Sequence, residues 1–453
     1  MVNTNFKPIE QFYHRVNAEK SGKQKIFIIT NKKTNRLVYV CDFIFSQTLK
    51  CAYQIEKSLP ASIDINSPVI QYKNETDENG ISIFPDGLLE ENSVRSDKPQ
   101  AQFKADNFYL FTNNSEIGFD IFSAVFYMIS RYEEWQKFTP DKHGRFEINE
   151  SILFQYKFHH KPVVDIWMQI LRDEIEKKYP AFVFPQRKFQ TIATIDVDNL
   201  YAYKHKGFLR TIGAGVKDML KLNFVNIMRR NAVINDIDPD PFDIYDSFSS
   251  FCKSNNIPLI YFFLFSNNGK YDRTVNPKSK IFDTVFKRVL AHGANIGLHP
   301  GYYSKDSEEV FSAEKKSFDH RLGNSVEFTR QHYLKFDIRE TPKLLLENGI
   351  KIDFSMGFAS ASGFRAGCTQ PFYYYDFDKE CQTELILFPF CAMDGVYFVY
   401  GKKSANQAKE ELLKLKDEVK KVSGYFTTVF HERTFANHLY PGYGEMYKQV
   451  LIG

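Results

Sequence analysis

The sequence predicts an α/β protein, a seven-stranded (β/α) barrel over residues 188–453 preceded by a smaller α+β domain over residues 1–187. Three observations lead there. Short apolar runs recur through the second half, most of them separated by helix-compatible stretches. Polar residues able to do chemistry close five of those runs. The two prolines of "PAFVFPQRK" break the helix before them and suit a connection between halves of different texture.

In the first half, "KIFIIT" and "RLVYVCDFIF" read as short alternating strands, followed by a long polar stretch from Gln71 to Gln102. "DIFSAVFYMISRYEEWQ" and "VVDIWMQILRDEIEKKY" then read as helices. In the second half the strand candidates are "QTIATID", "PLIYFFLF", "ANIGLH", "VEFTR", "IKIDF", "ELILFPF" and "GYFTTVFH". "KIFDTVFKRVLAHG", "TPKLLLENG" and "ANQAKEELLKLKDEVKKVSG" are helical between them. Strand–helix alternation implies parallel strands joined by right-handed crossovers. Periodicity alone does not separate a barrel from an open sheet. The polar run-ends favour the barrel, because strand C-termini there converge on one face, where function sits. Asp196 and Asp198 close the first run, His299 the third, Arg330 the fourth, Asp353 the fifth and His431 the last.

Composition narrows the function classes. The 453 residues are 43% hydrophobic, 25% charged and 16% aromatic, an ordinary globular mixture rich in Phe and Tyr. A net charge of +4 with no dense basic block excludes an obvious nucleic-acid partner. The N-terminal stretch has no apolar h-region, so no secretory signal is read and a cytoplasmic location is expected. The longest apolar stretch, Ile121–Ile129, is too short for a membrane span. The six cysteines show no C-x-x-C pair and are expected as reduced thiols. Nothing in the sequence fixes an oligomeric state.

Asp196-Val197-Asp198 is the leading motif. Alternation along a strand puts both acids on one face, where one can hold a cation while the other takes a proton. An isolated D-x-D is more often a strand-end turn; the company of the other run-ends changes the weighing. His299, followed by Pro-Gly, sits on a tight turn, and Asp/His ligation with an open position is the pattern of a catalytic metal site. Arg330 and His332 fall on one strand face. The first could fix a carboxylate, the second complete a metal site; a structural Arg–Asp pair is an equal competitor. His431 ends a β-branched run and suits a general acid, against a plain surface histidine beside Glu432 and Arg433. "GFRAGC" and "FPFCAMDG" are loop elements expected to bring Arg365 and Asp394 toward the same mouth.

With these residues in place, the stretch from about Gln190 to the C-terminus resembles the polysaccharide deacetylases, the fourth carbohydrate esterase family. The acid pair after "TIATI", the histidine after "NIGL", the arginine after "EFT" and the late histidine after "TTVF" come in that family's order. "DIFSAVFYMISRYEEW", "DKHGRF", "KPVVDIW", "IGLHPGYYS", "RQHYLKF" and "GFRAGC" look like a branch with an uncharacterised domain before the barrel. The resemblance implies a distorted seven-stranded (β/α) barrel and a divalent metal, with zinc the expected ion. It implies Asp196 as the base acting on the attacking water, Asp198 and His299 as metal ligands, Arg330 as the group orienting Asp196, and His431 as the acid. Arg365, Asp394 and Tyr302 are candidates for touching substrate. Two departures stand out. The acids are one residue apart rather than adjacent, and Tyr302 and Tyr303 stand where the family's second histidine is usual. Phenol is a poor zinc ligand near neutral pH, so either His332 completes the metal site as third ligand, a tyrosinate or waters fill in, or the site is weakened.

The leading expectation is therefore a metal-dependent deacetylase acting on an N-acetylated sugar or glycan precursor, nucleotide- or lipid-linked rather than extracellular. A non-catalytic glycan-binding module that kept the barrel is the alternative. A glycosyltransferase reading of D-V-D lacks a Gly-rich phosphate loop upstream. A D-x-D-x-T phosphatase reading fails because Leu200 stands where Thr is needed.

Overall fold

The computed structural model describes residues 6, 8 and 25–453, apart from 62, 76, 105 and 268. In the first half, β1 (Lys25–Thr30), β2 (Ala52–Glu56), β3 (Val69–Tyr72) and β4 (Ile81–Ile83) form a sheet in the order β2-β1-β3-β4. Its three pairings are parallel, where the sequence reading expects an α+β texture. β5 (Ala101–Lys104) and β6 (Asn107–Leu110) make a separate antiparallel hairpin.

"RLVYVCDFIF" corrects the sequence reading outright, because it is helical. The Thr34 side chain caps helix Asn35–Cys41 by accepting the Leu37 N–H, and a wider helical turn continues over Asp42–Thr48. Leu37, Tyr39, Val40, Cys41, Phe43, Ile44 and Phe45 are all buried, and only Val38 and Asp42 of the segment are half-exposed. A short continuous apolar run of this kind has no period that separates strand from helix.

The second sheet contains all seven expected runs: β7 (Gln190–Val197), β8 (Leu259–Leu264), β9 (Asn295–His299), β10 (Phe328–Thr329), β11 (Ile352–Met356), β13 (Cys381–Pro389) and β15 (Tyr425–His431). Two further strands join them, β12 (Phe372–Asp376), antiparallel to β13, and the short β14 (Ala392–Met393). The order is β12-β13-β11-β10-β9-β8-β7-β15-β14. β13 pairs with β11 as far as Pro389. Two residues on, the Cys391 N–H donates to the Thr427 carbonyl, and β14 pairs with β15. One connected segment thus borders both β11 and β15, and the sheet curls round on itself.

Strands buried on both faces read as near-continuous apolar runs, and β8, "LIYFFL", is buried at every position. Helices Ile281–Ala291, Glu308–Leu322 and Ala405–Lys421 lie between strands in sequence, the last started by a capping box of Ser404 and Gln407. A contiguous apolar core includes residues of both sheets, from Ile26 and Ile70 to Ile195 and Phe430. No helix among the described residues is long and apolar enough to cross a membrane. All six cysteines are free thiols.

Candidate metal centre

β7 runs from Gln190 to Val197, and its register sets Asp196 beside His431 of β15 and Phe262 of β8. Asp198 follows immediately. Its backbone N–H and that of Asn199 donate to the Glu432 carboxylate, each at 3.1 Å, which fixes the chain where it leaves the sheet. His299 ends β9. β10 stops at Thr329, so Arg330 and His332 do not share a strand face as expected. His332 instead opens a tight turn in which Tyr333 and Leu334 adopt left-handed φ values of 59° and 52°.

That turn carries His332 to the other two residues. Asp198, His299 and His332 each offer a ligand atom, all within 4.8 Å of one another. His299 Nε2 lies 3.9 Å and His332 Nε2 3.7 Å from Asp198 Oδ1. The other ring nitrogens are engaged. His299 Nδ1 sits 2.5 Å from the Arg330 carbonyl oxygen and His332 Nδ1 2.7 Å from Asp272 Oδ1, so both Nδ1 atoms are N–H donors and both Nε2 atoms keep a lone pair. Asp198 Oδ1 is buried without a hydrogen-bond partner among the described residues. An orphaned carboxylate oxygen facing two imidazole lone pairs is costly unless a cation sits between them. Ligands about 2 Å from a shared ion stand roughly 3–4 Å apart, which is the observed spacing. These residues fit a divalent metal.

The electrostatics agree. Burial drives the His299 ring down to about 4, so it is neutral near pH 7 and able to bind metal. Burial opposes a charge on Asp198, but the Arg433 guanidinium and the imidazoles of His431, His332 and His299 outweigh it and hold the carboxyl well below its usual range. Arg433 pairs directly with Asp198 Oδ2.

Around this trio stand two further groups. Asp196 Oδ1 accepts from Arg330 Nη1 at 2.6 Å, while Oδ2 lies 3.9 Å from His299 Nε2. Arg330 is itself locked, donating to the Phe354 carbonyl and lying 4.4 Å over the Phe262 ring. His431 meets Asp394 twice, through its backbone N–H and through Nδ1, each at 2.8 Å. Burial and Arg433 disfavour a charged His431 ring, yet Asp394, with help from Asp198, raises it to about 9. Asp196, Asp198, His299, His332, His431 and Arg433 line one cavity of about 740 Å³.

Three expected substrate contacts do not reach that cavity, and each has a physical reason. Arg365 is buried with its fork on Glu134, at 2.9 and 2.7 Å. Asp394 is buried, its oxygens taken by His431 and Thr434. Tyr302 lies behind the wall, stacked at 4.0 Å on Tyr271 with its hydroxyl 2.9 Å from His143 Nδ1. Tyr271 and Tyr333 are the phenols that do line the cavity. The sequence reading missed Asp272, which orients His332, and Arg145, whose guanidinium donates to the Tyr333 carbonyl at 2.6 Å. A signal for Asp272 existed: it lies in the loop after a parallel strand's C-terminal end, "NNGKYDRT".

Residues 26–180 match DUF7033, a family of unknown function. No curated protein matches the chain. Among solved structures, a protein from Mycobacterium smegmatis assigned provisionally as a polysaccharide deacetylase is 13% identical, with 60% of this chain and 85% of that one covered at a TM-score of 0.39. A family 4 carbohydrate esterase from Streptomyces lividans, in complex with acetate, is 8% identical, covering 59% and 89% at 0.28. The allantoinase PuuE is 13% identical, covering 57% and 83% at 0.35. Likenesses this distant leave the assignment to the site's own geometry.

Proposed function

We propose that the chain is a metal-dependent hydrolase that removes an N-acetyl or related acyl group from a sugar or glycan precursor. One observation carries the reading: the partnerless Asp198 Oδ1 faces two imidazole Nε2 atoms whose rings are held from behind. Asp198, His299 and His332 would hold the ion, and one carboxylate with two imidazoles suits zinc. When bound, the ion supplies Lewis acidity, lowering the pKa of a water toward ~7 and polarising an amide carbonyl.

The chain's own groups divide the remaining work. Asp196, oriented by Arg330, takes the proton of the attacking water. His431, charged through Asp394, gives a proton to the leaving amine. Acetate and a free amino sugar leave. Tyr271 and Tyr333 offer faces on which a sugar ring can stack. Lys270 and Arg273 line the same cavity and have no ion-pair partner among the described residues, which favours a substrate bearing an anionic substituent such as a phosphate.

The competing reading, a glycan-binding module without turnover, draws its motive from the missing second histidine. His332, arriving from a different turn, supports the enzyme instead. The test is metal analysis of the purified chain together with acetate release from free, phosphorylated and nucleotide-linked N-acetyl sugars. Stoichiometric zinc that is lost in His299→Ala, with acetate release that follows the metal, supports the hydrolase. Stoichiometric metal with no release from any of these substrates supports the binding module.

A further inference from the structure

Between β7 and β8 the chain leaves the cavity mouth and makes two successive helices, Phe208–Leu220 and Phe224–Ile234, most of whose described apolar side chains are exposed. Lys206 Nζ donates to Asn199, a residue of the cavity lining, so the pair springs from the rim of the candidate site. Phe208, Ile212, Val216 and Leu220 repeat at four-residue spacing on one helical stripe, and all four are exposed. At the tip, Leu220 is 82% exposed, Leu222 73% and Phe224 58%. A soluble surface scatters such residues; contiguous ones mark a contact.

The charges decide which contact. Over residues 204–230 the sequence holds seven Lys and Arg against one acid, Asp218. Asp218 is spent inside the pair, accepting from Asn226 and Arg230 and stitching the two helices together. Lys217 and Lys221, flanking the apolar tip, are exposed, so the charge presented beside the stripe is positive. Apolar residues on one face with lysines along its border match the interface of an anionic bilayer, where the apolar face enters the acyl boundary and each cation gains from the surface potential.

We propose that this helical pair docks on an anionic lipid surface, setting the cavity mouth against the membrane so that the head group of a lipid-linked substrate enters it. The docking itself does not depend on the hydrolase reading.

The experiment is flotation of the purified full chain with vesicles of phosphatidylcholine alone and of phosphatidylcholine mixed with phosphatidylglycerol. Binding is expected to the mixed vesicles and to fall about tenfold or more when Leu220→Asp and Phe224→Asp are combined. A second variant, Lys217→Glu with Lys221→Glu, keeps the apolar tip and should lose the preference for anionic vesicles, as should high salt. Because all four side chains point to solvent, the folded core is untouched, and an unchanged thermal transition checks this. No binding to mixed vesicles, or equal binding by the tip variant, overturns the proposal. So does a concentration-dependent dimer, seen by light scattering without vesicles and abolished by the tip variant, because a second copy then covers the face. Vesicle binding that persists while acetate release fails on free, phosphorylated, nucleotide-linked and lipid-linked N-acetyl sugars alike retires the hydrolase and leaves the docking surface standing.

Discussion

Asp196 and Asp198 stand one residue apart in different surroundings, and the proposed function gives them different work. Asp198 has the two imidazoles in front of it; Asp196 has Arg330 behind it. Asp196→Asn is therefore expected to keep its metal and to lose roughly 10²–10⁴ in kcat, since amide nitrogen cannot take the proton; metal content and acetate release on the same sample check both halves. Asp272→Asn leaves His332 in place without its orienting anion and should weaken metal binding about 10–100-fold by competition with a chelator. His431 supplies the pH signature. A raised ring is charged below its pKa and neutral above it, so an acid of this kind works at low pH and fails as pH rises through about 9. A bound dication repels the imidazolium, so the alkaline limb of kcat should fall at or below that value. Asp394→Asn removes the anion that sustains the charge and should move the limb further down. Asp196, Asp198 and His431 were legible in the sequence because they close apolar runs, where a charge has no structural reason to be. Arg365 was misread for the complementary reason: an arginine between two glycines looks like a loop tip, and nothing local reveals that Glu134, 231 positions away, holds its fork.

Elements carry the site only where their backbones are held. The Gln331–Leu334 turn spends two left-handed, non-glycine residues to deliver His332, a conformation costing on the order of 1–2 kcal/mol per residue, which survives only where surroundings enforce it. Arg145 enforces it through the Tyr333 carbonyl, and Asp141 holds Arg145 at 2.6 Å. Arg145→Ala should accordingly lower metal affinity although it touches no ligand, readable by chelator competition with the fold intact. A sequence cannot display this support, because it joins "DKHGRF" to "RQHYLKF" across nearly two hundred residues. β9 shows the opposite constraint. At Gly297, paired with Phe262 of β8, a Cβ would lie 2.4 Å from that ring, the same ring over which Arg330 lies. The "RLVYVCDFIF" segment failed at this scale too, since burial of all but Val38 and Asp42 leaves too little period to tell a strand from a helix.

At the scale of the whole molecule the two halves share an apolar core and are fastened in addition by buried polar contacts. Asp165 accepts the Thr369 backbone N–H at 2.7 Å, and the Val164 N–H donates to the Gly367 carbonyl at 2.8 Å. Glu134 lies between Arg131 and Arg365, with all three side chains 2% exposed or less. The stretches "SRYEEW" and "GFRAGC", which seemed separate landmarks, are therefore the two sides of one ion cluster. Charges so deeply buried are held by mutual pairing, and removing one partner strands the rest, at about 3–5 kcal/mol. Arg365→Leu should thus lower the thermal transition sharply, whereas Arg365→Leu combined with Glu134→Leu leaves Arg131 its second partner, Glu133 at 2.8 Å, and should recover part of the loss. Burial favours a neutral Glu134, but Arg365 and Arg131 overcome it and hold the carboxyl below its usual range. A depressed folded pKa adds stability above the unfolded value, near 4.5, and gives it up as pH falls through the folded one. The cluster's contribution is then complete at neutral pH and lost only in acid. Melting curves of the wild type and the double variant should converge as pH drops toward that range; a constant gap between them would mean that Glu134 is not the charge that binds the halves together.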